Sequence, residues 1–259
     1  MRHPRSILIT GGSSGIGAAL ALAYAQPGTR LALTGRNAER LETVASSCRA
    51  AGAEVTCAAF DIAQPEKLGA WIAEVDRSGS LDLVIANAGM TGGHREPGTE
   101  ETLADVERMM SVNFAGACTT IHAVIPAMRH RGHGQIALMS SLAAIRGLPY
   151  SPAYCASKAA LKAYGEALRG LLRPAGIEVS VILPGFVETP LSNHVQGPKP
   201  LMMGPERAAQ IIRNGLARGR ARIGFPFLLD FGTRIMAALP AALVDPVLNR
   251  IAVNIRHYE

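Results

Sequence analysis

"SILITGGSSGIG", Ser6 to Gly17, is the stretch that decides the fold. A short apolar run, Ser6 to Thr10, reads as a strand. A glycine turn follows, and then an Ala- and Leu-rich run of helical character. Gly11, Gly15 and Gly17 fall where the backbone must come close to a bound group at a helix N-terminus, where exposed N–H groups receive phosphate. The span Thr10, Gly11, Ser13, Ser14, Gly15, Ile16, Gly17 is therefore the candidate cradle for a dinucleotide pyrophosphate. A glycine turn standing alone has a plainer reading, since many strand-to-helix turns need glycine for backbone geometry.

The rest of the chain repeats this alternation. "RLALT" (30–34), "EVTCAAF" (54–60), "LDLVIA" (81–86), "GQIALMS" (134–140), "IEVSVIL" (177–183) and "ARIGF" (221–225) read as strands. Helix-length runs such as 38–51 and 65–78 separate them. Strands alternating with helical crossovers imply βαβ units and a parallel sheet, and near-continuous apolar strands imply helices on both faces. The expected fold class is α/β: a single Rossmann-type domain over 1–259, with a mostly parallel, seven-stranded, doubly wound sheet. The Pro- and Gly-rich stretch 190–204 reads as a substrate lid. Pro205 opens a helix, and 225–259 reads as a helical tail divided around Pro240.

Composition limits the alternatives. Of 259 residues, 48% are hydrophobic and 18% charged, ample for a core. Lys and Arg outnumber Asp and Glu by 26 to 20, but the excess is spread thinly. The densest cluster, "RGRAR" (218–222), lacks the interleaved aromatics of a nucleic-acid groove, so no nucleic-acid partner is expected. Cys48, Cys57, Cys118 and Cys155 have no paired spacing, which argues against disulfides and zinc and for a reducing, cytoplasmic setting. His94, His122, His130, His133 and His194 offer no ligand spacing, so no metal is expected. The chain begins without a secretory h-region, and the late apolar segment 225–248 is interrupted by Asp230, Arg234, Pro240 and Asp245, which argues against a transmembrane span.

The second strand ends "LTGRNAERL". A carboxylate here would hydrogen-bond the ribose 2′-hydroxyl of NAD. Gly35 stands there instead, with Arg36 next, and a guanidinium pairs with a 2′-phosphate. NADP is therefore expected over NAD, although Arg36 could simply sit at a solvated helix start.

Four further pieces, "ANAG" (86–89), "SVNFAG" (111–116), "SSLAA" (140–144) and "YCASK" (154–158), stand in order with "TGGSSGIG" and "PGFVET" (184–189). In combination they resemble the short-chain dehydrogenase/reductase family from about residue 6 to residue 189. The resemblance implies an oxidoreductase that interconverts a carbonyl and an alcohol with a nicotinamide cofactor. It implies that Asn113, Ser141, Tyr154 and Lys158 are the catalytic four. It also implies that Asn87, Ala88 and Gly89 border the adenosine, that Asp61 with Ile62 contacts the adenine, and that Pro184, Gly185, Val187 and Thr189 form the nicotinamide-side loop. The tail departs from the family pattern, because no "DGG"-like turn of a tetramer interface follows Met203. It looks more like a lipid- or steroid-reductase subgroup. A homo-oligomer, dimer or tetramer, is expected.

The Tyr–Lys pair carries its own logic. Residues i and i+4 share a helix face, so Lys158 lies beside Tyr154. A fixed ammonium, with the cation of an oxidised nicotinamide nearby, favours phenolate and is expected to lower the phenol's pKa, making it a proton donor to a carbonyl and an acceptor from an alcohol. Ser141 would hold the substrate oxygen; Ser140 is a rival that only the family register sets aside. Asn113 is expected to hold a proton-relaying water near Lys158, or else to be a buried, satisfied amide. The candidate substrate walls are 90–98, 142–151 and 190–204, including Leu142, Ala144, Leu148, Tyr150, Leu191, Leu201, Met202 and Met203, which suit a bulky apolar ketone. Two other readings differ in class: a cofactor-binding regulator without turnover, and a membrane-surface enzyme anchored by its tail.

Overall fold

A computed structural model describes residues 3–93 and 100–250, together with the backbone of 254–255. The chain alternates β1 (Ser6–Thr10), α1 (Gly15–Tyr24), β2 (Arg30–Gly35), α2 (Ala38–Ala50), β3 (Glu54–Ala59), α3 (Pro65–Ser78) and β4 (Leu83–Ala86). The second half runs α4 (Leu103–Met110), α5 (Gly116–His122), α6 (Ile125–Arg131), β5 (Gly134–Met139), α7 (Pro152–Leu172) and β6 (Ile177–Pro184). It ends with α8 (Pro190–Asn193), β7 (Val195–Gln196), α9 (Pro205–Ala217), β8 (Arg222–Phe225), α10 (Phe227–Ala238), α11 (Ala241–Leu248) and β9 (Asn254–Ile255). Prolines at the first turns of α3, α7, α8 and α9 occupy positions where a missing N–H costs nothing.

Seven strands form one parallel sheet in the order β3-β2-β1-β4-β5-β6-β8. The chain reverses direction across the sheet between β1 and β4, and in such sheets ligands bind beyond the strands' carboxyl ends at that point. Side chains of β1 alternate between two cores. Ile7 and Ile9 pack with Leu20, Leu41 and Ile212 of α1, α2 and α9. Leu8 packs on the other face with Leu68, Ile72, Ile121 and Leu161 of α3, α5 and α7. The expected doubly wound architecture is what the chain adopts.

Three details differ from expectation. β4 starts at Leu83 rather than Leu81, because the Leu81 N–H donates to Asp76 Oδ1 (2.8 Å) and the Asp82 carboxylate accepts the N–H groups of Arg5 and Ser6. The run through Asn113 is not a plain helix, since Ser111–Ala115 form a π-helical turn between α4 and α5. Among the described residues the last helix ends at Leu248, and β9 pairs antiparallel with β7 inside the 190–204 stretch. Part of the expected 90–98 wall, with His94, lies outside the described residues. No helix among the described residues is long and apolar enough to cross a membrane.

Candidate active site

The strand ends and glycine turn border one cleft of about 1410 Å³. Its floor is stitched by β1 and β4. Thr10 Oγ1 accepts from the N–H groups of Asn87 (3.0 Å) and Ala88 (3.1 Å), and Asn87 Nδ2 donates to the carbonyls of Thr10 (2.9 Å) and Gly11 (3.2 Å). Thr10, expected among the cofactor-binding residues, is fully buried and lies beneath the turn rather than on its surface. Gly11, Ser13, Ser14, Gly15, Ile16 and Gly17 do line the cleft. At Gly17 a Cβ would stand 2.1 Å from the Gly11 carbonyl oxygen. Ser14 precedes α1 without a side-chain capping bond, and the first turn of α1 carries no acidic residue. The first N–H groups of that helix therefore face the cleft as free donors, which fits a pyrophosphate.

At one end of the cleft, Gly35 packs on Ser13, and a Cβ there would meet Ser13 Oγ at 2.8 Å. A carboxylate at this position would need Ser13 to move. Arg36 lines the cleft, and so does Arg40, which the sequence reading passed over. Asn37 caps α2 by accepting from the Arg40 N–H (2.8 Å) and so sets the turn that holds both arginines at the rim. Arg40 was legible in "GRNAER" as a second cation one turn past the glycine. Asp61, whose Oδ1 accepts from the Ala63 N–H (2.9 Å), lines the same end with Ile62, and Asn87, Ala88 and Gly89 lead from the glycine turn toward Lys158.

At the other end Ser141, Tyr154 and Lys158 meet along the cleft. The Ser141 hydroxyl accepts from the Ala143 N–H (3.1 Å) and lies near enough to the Tyr154 phenol to favour its ionised form. Ser140 does not compete: its buried hydroxyl donates to the Lys158 carbonyl (2.7 Å). Lys158 is buried, and its ammonium donates to the Met139 carbonyl (3.0 Å) and lies 5.8 Å from the centre of the Tyr154 ring. Burial pulls Lys158 down to about 8. Burial pushes the Tyr154 phenol up to about 12, with the Ser141 hydroxyl pulling the other way. Lys158 alone does not lower the phenol, because desolvation outweighs a cation that sits over the ring and spends a donor on a backbone carbonyl.

Asn113 is a buried, satisfied amide and does not line the cleft. Its Oδ1 accepts from the Met90 N–H (2.8 Å), and its Nδ2 donates to the Met90 carbonyl and Ser157 Oγ (3.0 Å each). Gly89 lies against both Asn113 Oδ1 and Lys158 Nζ, so the three residues form one packed unit behind the site. Cys155 is buried, its thiol pushed up to about 11, as suits a packing residue.

The substrate side differs in part from expectation. Leu142, Leu148, Tyr150 and Leu191 line the cleft, as do Pro184, Gly185, Val187 and Thr189. Ala144 lines a neighbouring groove, Leu201 and Met202 are half-exposed, and Met203 bridges Val187 and packs on the core. Their place is taken by Leu229, Thr233 and Met236 of α10 and Leu248 of α11. The spacing 229, 233, 236 is one helix face, legible in the tail only once that helix is known to fold back over the site. No group of residues suited to hold a metal occurs among the described residues.

A family model described as short chain dehydrogenase matches residues 5–199. An uncharacterized oxidoreductase of Myxococcus xanthus is 37% identical over 95% of this chain and 97% of its own length. An 11-beta-hydroxysteroid dehydrogenase-like protein of Arabidopsis thaliana is 34% identical over 96% of this chain and 82% of its own. Among solved structures, a short-chain dehydrogenase from Sphingobium yanoikuyae in complex with NADPH has a TM-score of 0.78 at 25% identity, covering 92% of this chain and 97% of that one. L-sorbose reductase from Gluconobacter frateurii, complexed with NADPH and L-sorbose, has a TM-score of 0.75 at 27% identity, covering 87% and 97%.

Proposed function

This chain belongs to the short-chain dehydrogenase family and is an NAD(P)-dependent dehydrogenase/reductase, and from that premise we propose that it interconverts an apolar ketone or aldehyde and its alcohol using NADP(H), with Tyr154 as acid and base. The observation that carries this reading is the meeting of Tyr154, Ser141 and Lys158 in the cleft whose other end is the glycine turn. When bound, the nicotinamide supplies or accepts the hydride. In reduction Ser141 holds the substrate oxygen and Tyr154 gives it a proton; in oxidation Tyr154 takes the proton back. A phenol near 12 is protonated at neutral pH, so the residue starts as the donor that reduction needs. The buried Lys158 ammonium favours the phenolate left behind. Asn113 acts at one remove, by holding Met90 and the Ser157 hydroxyl behind Lys158.

Arg36 and Arg40 at the rim, with no carboxylate at Gly35, support NADP over NAD, and the NADPH complexes of two related structures support it further. Pro184, Gly185, Val187 and Thr189 form the nicotinamide side of the site in this reading. The four free cysteines support a cytoplasmic setting. NADPH oxidation over a panel of apolar ketones tests the proposal, with Tyr154→Phe as comparison. The variant should lose on the order of 10²–10⁴ in kcat while keeping NADPH affinity. Undiminished turnover in Tyr154→Phe refutes the assigned role.

A further inference from the structure

The substrate end of the cleft is mostly apolar along its walls yet two arginines line it. Arg146 lies five residues past Ser141, beyond the short turn Leu142–Ala144. Arg250 follows the end of α11. Among the described residues that line the whole cleft, Asp61 is the only carboxylate, and it stands at the other end beside Ile62. Among the described residues, no acidic side chain lining the substrate end balances the two guanidinium groups from within the cleft.

The two arginines differ in a useful way. Arg146 is half-buried, and its Nη2 donates to Asp245 Oδ1 of α11 at 2.6 Å. Asp245 borders only the neighbouring groove, whereas Arg146 lies between the two and lines both. That single bond anchors one nitrogen of the guanidinium and leaves its remaining N–H groups without a protein partner among the described residues. Arg250 is exposed, and its side chain has no hydrogen-bond or ion-pair partner among the described residues. Asp245 offsets the charge of Arg146, so Arg146 contributes anchored donors and Arg250 contributes the net positive charge. Orientation of a planar fork by one carboxylate, with free donors on its other edge, is the arrangement that recognises a second carboxylate.

Building on the proposed reductase reading, we propose that Arg146 and Arg250 are specificity residues for an amphipathic substrate: a carbonyl at Ser141 and Tyr154, an apolar segment along Leu142, Leu148, Leu229, Met236 and Leu248, and a carboxylate at the two arginines. The apolar wall alone would accept any ketone of suitable size. The guanidinium pair selects the acid, because a neutral end group would leave Arg250 unpaired and give the remaining N–H groups of Arg146 no charged acceptor.

The test uses the full chain with saturating NADP⁺. Methyl ketones bearing a terminal carboxylate, at several chain lengths, are each compared with their methyl esters by calorimetric binding and, with NADPH, by turnover. The acid should bind about 10- to 100-fold more tightly than its ester at the best-fitting length, the range for charge-assisted hydrogen bonds. The ratio should fall to near one in Arg146→Gln/Arg250→Gln, with NADPH affinity measured on the same preparation to show that the fold stands. An acid that binds no better than its ester at any length, or a preference that survives loss of both arginines, overturns the assignment. If the acid is preferred in binding but no ketone is turned over, and Tyr154→Phe behaves as the parent does, the anion site stands and the reductase reading falls.

Discussion

The buried Lys158 ammonium makes a quantitative prediction about stability and pH. Its pKa stands at about 8 in the folded chain, against an ordinary value of 10.5. Between these values the unfolded chain holds a proton that the folded chain has released, so the folded state gains stability as pH rises through the window. Below about 8 both states are protonated and the full cost of burying the charge is present. The side chain is only 4% exposed, so solvent screening takes little from the effect. At ~1.36 kcal/mol per pH unit, the relief reaches about 2.5 kcal/mol by about pH 10.

The assay is urea unfolding of the parent chain and Lys158→Met at about pH 7 and about pH 10. Methionine fills similar space and carries no titrating group. Thiols such as Cys48 and Cys118, pushed up to about 11 by burial, act in the opposite direction above about pH 9, but they are common to both proteins and cancel in the difference. The stability of Lys158→Met relative to the parent should therefore fall by about 2.5 kcal/mol from the lower to the higher pH. A pH-independent difference would mean that Lys158 keeps an ordinary pKa, and the account of a desolvated ammonium behind Tyr154 would fail with it.

Other changes probe the remaining supports of the site. Gly17→Ala puts a methyl 2.1 Å from the Gly11 carbonyl oxygen and 2.6 Å from Asn87 Nδ2, so it should cost about 1–3 kcal/mol in urea unfolding and weaken NADPH binding by fluorescence titration. Arg36→Ala and Arg40→Ala should each weaken NADPH about tenfold more than NADH; equal weakening of the two cofactors removes the basis for the NADP preference. Asp230 is buried and pairs with both Arg222 and Arg234. Asp230→Asn should destabilise the chain by as much as about 3 kcal/mol, the half-exposed Arg234 being free to turn to solvent, and should raise KM for ketone by loosening α10 over the cleft.

What was legible in the sequence divides along a physical line. Strands, crossovers and the glycine turn depend on hydrophobic spacing and backbone freedom within a few neighbours, and the sheet came out as read. Tyr154 and Lys158 share a helix, so their proximity follows from periodicity alone. Their ionisation does not: whether the cation or desolvation decides the phenol's pKa depends on burial supplied by β5, where Met139 takes a donor from Lys158 across 19 residues. Thr10 was legible as a residue that matters but not as one beneath the surface, and Asn113 stayed open between a water-holding and a buried, satisfied amide, because their partners lie 77 and 23 residues away. The tail was the least legible part. α10 reaches the cleft only because β8 lies beside β6 and Asp230 ties Arg222 at the start of β8 to α10, and β9 closes on β7 through two residue pairs too short to leave a pattern. A residue that performs chemistry in this fold is marked by its local spacing. The residues that tune that chemistry are set by pairings between distant strands and helices, and a single change in them, such as Asp230→Asn, should alter substrate affinity without touching a reacting atom.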